Sequence, residues 1–244
     1  MINLTYLYNV CLNILKYHNH RILNNFSNRG IIPQASEAFD EIADIYDAWY
    51  DDNPLFQCEI LALNEVVSVS PLSLEVGVGS GRFTQALGIR YGLDPAPGLL
   101  TLAKNRRVFS VQGVAESLPF GENTLEQIFF IFSLCFLKDP FKALQEAAAV
   151  LKTGGLLIIG FVPRHSSWGV FYEQKKQKGH PLYKYASFLS LNDLVTYIDK
   201  AHCRIEVGVS TLFQSPKLKK YRIEKPVKGL HSRAGFIVLA ARRL

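Results

Sequence analysis

From residue 72 onward the chain alternates short, wholly apolar runs with stretches in which apolar residues return every three or four positions. That alternation predicts strands joined by amphipathic helices. The predicted strands are residues 72–78, 89–93 (ending at Asp94), 108–112, 127–132, 156–161, 203–213 and 235–241. Helices are predicted at 82–87 and 98–105. A further helix is predicted after Asp139 and Pro140, with Phe141, Leu144, Ala148 and Leu151 inward and Gly154 as its stop. Ser190 and Asp193 read as a capping box opening a helix that carries Leu194, Ile198 and Ala201. Two helices precede the first strand. One is capped by Ser36 and shows Phe39, Ile42, Tyr46 and Trp49 at helical spacing; the other starts at Pro54 and turns Leu55, Leu61, Ala62 and Val66 inward. Strand and helix in turn predict an α/β fold: a mainly parallel, seven-stranded sheet with helices on both faces.

The first 36 residues break this pattern. They hold no Asp or Glu, and seven Asn fall within the first 28. Residues 1–34 therefore read as a poorly ordered or loosely docked extension, and 35–244 as the folded domain. An organellar presequence and a start further down the chain are the other readings of that segment. The apolar run 4–15 is interrupted by Thr5, Asn9 and Asn13 and is too short to span a bilayer. It also lacks the charged start and cleavage site of a secretory signal. Cys11, Cys58, Cys135 and Cys203 form no CxxC pair and no zinc-ligand spacing, so no metal is expected. Scattered thiols suit a reducing compartment, and the expected location is cytoplasmic.

Charge adds one local feature. Residues 215–233 carry seven basic side chains against the single acid Glu224, which equals the whole net charge of +6. Such a stretch can meet nucleic acid or another anion, but it reads first as a solvated loop.

The chemistry concentrates after the first predicted strand, in Leu74-Glu75-Val76-Gly77-Val78-Gly79-Ser80-Gly81. A glycine-rich turn between strand and helix lets a ligand lie against bare main chain, near the free N–H groups of a helix start. It is not a dinucleotide fingerprint. Arg82 stands where GxGxxG needs its last glycine, and the next strand-end acid, Asp94, follows Gly81 by only 13 residues.

Three further segments follow in order: Gly92-Leu93-Asp94-Pro95, Gly113-Val114-Ala115-Glu116-Ser117-Leu118-Pro119-Phe120 and Leu151-Lys152-Thr153-Gly154-Gly155-Leu156-Leu157-Ile158. Together with the glycine turn they resemble the class I S-adenosylmethionine-dependent methyltransferases of the type 11 (ubiquinone/menaquinone-biosynthesis-like) group, over residues 36–244. The resemblance implies a Rossmann-like fold and S-adenosyl-L-methionine as methyl donor. It implies that Gly77, Gly79 and Gly81 seat the methionine and ribose parts, and that Glu75 orients the loop and meets the amino end. Asp94 would accept from both ribose hydroxyls, with Ala115 and Glu116 at the adenine edge. Phe130 and Ile131 stand where many relatives carry small polar residues, and Phe130 is counted with the cofactor-binding set. Cys135-Phe136 replaces a His-His pair of the group, so any role of those histidines is absent. The Asn/Asp-Pro-Pro-aromatic signature of many nucleic-acid amino-methyltransferases is absent too.

Residues 163–189 hold Trp168, Tyr172, His180, Tyr183 and Phe188 in a long connection expected at the carboxyl end of the sheet. With the 39–50 helix they form an expected lid. Tyr46, Cys135 and His165 are the candidates for the reacting pocket. The expected reaction is direct methyl displacement onto a small molecule, in which the protein aligns the partners and excludes water. Two other readings remain: an RNA- or protein-directed enzyme docking through 215–233, and a catalytically silent cofactor-binding protein.

Overall fold

The computed structural model describes residues 34–244. The expected N-terminal extension lies outside the described residues, except for Gln34. Two short helices come first, α1 (Gln34–Glu41) and α2 (Ala43–Ala48), broken at Ile42 rather than continuous. Ser36 is no cap. It lies inside α1, buried, and its hydroxyl has no partner among the described residues. Helix α3 (Pro54–Asn64) starts on Pro54 and is capped by Asn53, whose side chain accepts from the Leu55 N–H at 2.9 Å. Its buried face is Cys58, Glu59, Ala62 and Leu63, while Leu61 is exposed, so the expected inner face is rotated.

The Rossmann-like core follows: β1 (Ser73–Val76), α4 (Arg82–Leu87), β2 (Tyr91–Asp94), α5 (Pro97–Asn105), β3 (Phe109–Gln112) and β4 (Leu125–Ile131). Then come a 3-10 turn (Leu134–Phe136), α6 (Pro140–Val150) and β5 (Leu151–Phe161). Helix α6 does not run to Gly154. It ends at Val150, and Leu151 already pairs with Leu125. The chain closes with α7 (Ser167–Gln177), a 3-10 turn (Tyr183–Tyr185), α8 (Leu191–Lys200), β6 (Cys203–Thr211), β7 (Val227–Lys228) and β8 (Phe236–Arg243). The Ser190–Asp193 capping box forms as expected.

One sheet holds all the strands, in the order β3-β2-β1-β4-β5-β8-β6-β7. It has eight strands where the pattern predicts seven. The eighth, β7, is a two-residue edge piece in which Val227 and Lys228 pair antiparallel with Ser210 and Val209. Two exposed residues in a basic loop carry no alternation to read. Strands β1 to β5 are parallel; β8 runs antiparallel between β5 and β6.

Strand alternation divides the core. Ile128 and Phe130 point to the face covered by α6 and α8, with Leu144 and Ile198. Phe129 and Ile131 point to the other, against Ala62 and Leu63 of α3, Phe83 and Trp168. Strand order reverses between β1 and β4. Their carboxyl tips part there, and a parallel sheet opens a crevice at such a point.

Candidate functional site

A cavity occupies that crevice. Its walls include Gly77 and Gly79 after β1, Asp94 at the tip of β2, Ala115 and Glu116 after β3, and Ser133 and Cys135 after β4. Helices α1 to α3 and the 163–189 insert line the remainder.

The β1 turn is shaped by what cannot fit. Gly77 has φ +81°, and its N–H donates to the Leu93 carbonyl at 2.7 Å. A Cβ there would overlap Ser133 Cβ, and Ser133 is itself held by donating to the Val76 carbonyl at 2.7 Å. Only glycine allows the turn to close against the β4 tip. Gly79 lies on the wall, and its N–H donates to Asp94 Oδ2 at 2.8 Å. Gly81 is not on the wall. It is the left-handed start of α4, packed against Ala103 and Val108, and so serves helix packing.

Asp94 is buried and accepts from the N–H groups of Gly79 (2.8 Å) and Ala96 (2.9 Å). Burial pushes its pKa up to about 6, against the lowering effect of those two bonds. Glu116 accepts from the N–H groups of Lys138 (3.1 Å) and Asp139 (3.2 Å), which ties the β3 loop to the start of α6.

Glu75 is fully buried, but it stands behind the turn rather than on the cavity wall. It accepts a hydrogen bond from Thr84 of α4. That contact fits the loop-orienting part of its implied role. Burial pushes its pKa up to about 8. A carboxyl raised from its unfolded value near 4.5 loses its contribution to stability as pH climbs from about 4.5 through 8. Glu75→Gln, which cannot ionise, is therefore expected to gain melting temperature relative to the parent between pH 5 and pH 9. Parallel melts across that range measure it, and a constant difference would refute the buried proton.

The N-terminal helices are fastened over this turn. Asp40 of α1 accepts from the N–H of Gly98 (2.8 Å) and of Leu99 (3.3 Å), capping α5, whose own N-cap residue Ala96 offers no side chain for this. Asp47 of α2 takes both Nε (2.9 Å) and Nη2 (2.7 Å) of Arg82 and Nη2 of Arg106 (2.7 Å). Arg106 in turn donates to the Ser80 carbonyl at 3.0 Å. Arg82, which fills the last position of the glycine pattern, is thus an anchor. Tyr46 lies beside Gly79 and shares a 2.8 Å hydrogen bond with Tyr50. Phe39 packs edge-on against both Tyr46 and Phe136.

Among solved structures, a methyltransferase of Thermotoga maritima described as S-adenosylmethionine-dependent, a possible histamine N-methyltransferase, superposes with a TM-score of 0.80. It is 31% identical and covers 86% of this chain and 100% of its own. The chain belongs to the S-adenosylmethionine-dependent methyltransferases. The family described as "Methyltransferase domain" (Methyltransf_11) matches residues 74–159, in line with the type 11 resemblance of the sequence motifs. An uncharacterised protein of Mycobacterium tuberculosis is 36% identical over 211 residues, covering 85% of this chain and 74% of its own length. A demethylmenaquinone methyltransferase of Renibacterium salmoninarum is 28% identical over 148 residues, covering 57% of this chain and 62% of its own.

The methyltransferase cavity fits its donor, S-adenosylmethionine. Glu59, Asp94 and Glu116 line it, and among the described residues no Lys, Arg or His does. A wall with carboxyls and aromatic faces but no cation suits a positively charged sulfonium. When bound, the donor supplies an activated methyl group.

Not every expected residue reaches the cavity. Phe130 does not: alternation along β4 sends it to the opposite face, fully buried between the sheet and the α6/α8 layer. Ile131 and Phe132 line the site instead. His165 is exposed and lies off the wall, because the chain turns back at Ser166, the cap of α7. Cys135 does line the cavity, but burial pushes its thiol up to about 12. A neutral thiol is a poor nucleophile. Iodoacetamide at pH 8 is expected to leave Cys135 unmodified by peptide mass mapping; rapid alkylation would restore it as a reactive group.

Three features escaped the sequence reading: the Asp47 clamp, the Asp40 cap and Glu59. Glu59 left a signal, as a lone acid inside the apolar stretch Cys58-Glu59-Ile60-Leu61-Ala62-Leu63. The basic residues of 215–233 are all exposed, and none lines the cavity. Among the described residues, no helix is long and apolar enough to cross a membrane.

Proposed function

We propose that this methyltransferase acts on a small molecule by direct displacement. In this reading Asp94 receives the ribose hydroxyls, Ala115 and Glu116 meet the adenine, and the Gly77–Gly79 main chain seats the methionine portion. The α1–α2 helices and the 163–189 insert act as a lid that excludes water while the acceptor is held in line.

One observation carries the small-molecule reading. The wall that holds Asp94 and Gly79 continues into an aromatic chamber lined by Tyr46, Trp168, Tyr172, Tyr183 and Phe188, closed in part by the α1–α2 helices that Asp40 and Asp47 fasten to the core. The basic stretch that would favour a macromolecule lies outside that chamber.

The test uses the full chain with radiolabelled S-adenosylmethionine. It is offered a small-molecule cell extract, total RNA and a protein extract in parallel. Label is expected in the small-molecule fraction. Label in RNA or protein, weakening steeply with salt, would move the reading to docking through 215–233. Donor uptake with transfer to none of the three would favour a silent binding protein.

A further inference from the structure

Helix α3 packs on β6 and β8, beyond the strands that carry Gly77 and Asp94, and also touches α4. Its one acid, Glu59, is 8% exposed and lines the cavity. Among the described residues no side chain or main-chain group hydrogen-bonds or ion-pairs its carboxyl. A largely buried carboxyl that no protein group pairs is costly to the fold, and it is not kept for stability.

Its surroundings define what could complete it. Tyr46 and Tyr50 stand on the α2 side, hydrogen-bonded to each other at 2.8 Å. Tyr172 and Tyr183 stand on the insert side, with ring centroids 4.6 Å apart, and Phe188 stacks on Tyr172 at 5.9 Å. All four tyrosines and Cys58 lie within electrostatic reach of Glu59, and burial favours the protonated form of each. Lys175 of the insert lies over the Phe171, Tyr172 and Tyr183 rings and is not on the cavity wall.

We propose that Glu59 receives the ammonium group of the methyl acceptor, whose apolar body packs among the chamber aromatics; the substrate class is a small amine. This rests on the small-molecule reading above. An alcohol would give the carboxyl one neutral hydrogen bond. An ammonium gives it a charge-assisted one, with ring faces around it that favour a cation. An anionic acceptor would meet three carboxyls and no base.

The probes are 2-phenylethylamine and its neutral and anionic counterparts, 2-phenylethanol and 3-phenylpropionate, titrated into full-length protein saturated with S-adenosylhomocysteine. The amine is expected to bind at least tenfold more tightly than either counterpart. Burial raises the Glu59 pKa above the usual carboxylate range. Amine binding, which favours the carboxylate, is therefore expected to be accompanied by proton release, read by calorimetry in two buffers of different ionisation enthalpy. E59Q should lose at least tenfold in amine affinity and leave 2-phenylethanol and S-adenosylhomocysteine within about twofold, the latter also showing that it folds. Equal binding of amine and alcohol, or an unchanged amine affinity in E59Q, would overturn the proposal. Should E59Q not fold, the comparison of the three probes and the proton count on the parent protein decide alone. Failure to take up S-adenosylhomocysteine at all would instead strike the small-molecule methyltransferase reading.

Discussion

Asp94→Ala is expected to weaken S-adenosylhomocysteine binding about a hundredfold, measured by titration calorimetry at pH 7.5. The carboxylate is placed to act twice. It fixes the Gly79 and Ala96 N–H groups, and so the shape of the turn, and in the proposed reading it offers acceptor oxygens to a ribose diol. Hydrogen bonds to a charged group contribute roughly 1.5–3 kcal/mol each, so the loss of two ligand bonds amounts to about two orders of magnitude or more. Asp94→Asn keeps one acceptor oxygen and should lose about tenfold.

The same residue sets a pH dependence with a definite sign. Its pKa is about 6, raised by burial from 3.8. Without ligand, the contribution of Asp94 to stability is complete below about pH 4 and is lost as pH rises through 6. A ligand that needs the carboxylate responds the opposite way, so affinity should climb as pH rises through 6 and level off above it. Asp94→Asn should be flat over that range. A parent protein whose affinity does not change between pH 5 and 7.5 would remove Asp94 from the ribose.

What the sequence disclosed follows from how local each feature is. The Gly77–Gly81 turn and Asp94 are set by the main chain within one strand–turn–helix unit and by a neighbouring strand tip, so their spacing carries them. The Ser190–Asp193 box is three residues wide and equally legible. Phe130 is expected in the cofactor set, but period-two alternation along β4 sends it and Ile131 to opposite faces. The inner face of α3 was rotated because Leu61 is apolar yet exposed, while Glu59, an acid, is buried. A hydrophobic pattern cannot foresee a buried acid, since its cost is accepted for reasons outside packing. Arg82 looked like a defect in a glycine fingerprint. Its partner lies 35 residues earlier, and nothing in the local pattern links them.

That partner yields the second large effect. Asp47→Ala is expected to lower stability by about 2 kcal/mol at pH 7, or roughly 4–8 °C in melting temperature for a domain of this size. Burial alone would raise the Asp47 pKa, but hydrogen bonds from Arg82, Ser80 and Arg106 outweigh it and hold it at about 2. A carboxyl lowered from 3.8 to about 2 contributes stability that is present above pH 4 and is lost as pH falls through 2, and the size of the shift gives about 2 kcal/mol. The difference between parent and variant should therefore shrink between pH 4 and pH 2. Removing the carboxylate also leaves the Arg82 and Arg106 guanidinium groups, 17–21% exposed, without their shared anion, Arg82 keeping only the exposed Asp51. Arg82→Ala placed on top of Asp47→Ala should then cost little, because the pair acts as one unit. Since α2 is fastened to the Rossmann core at this point, hydrogen exchange over residues 34–51 should accelerate in Asp47→Ala while the β1–β4 amides keep their protection. Uniform acceleration across the sheet would mean that the clamp stabilises the whole fold rather than holding the α1–α2 helices over the site.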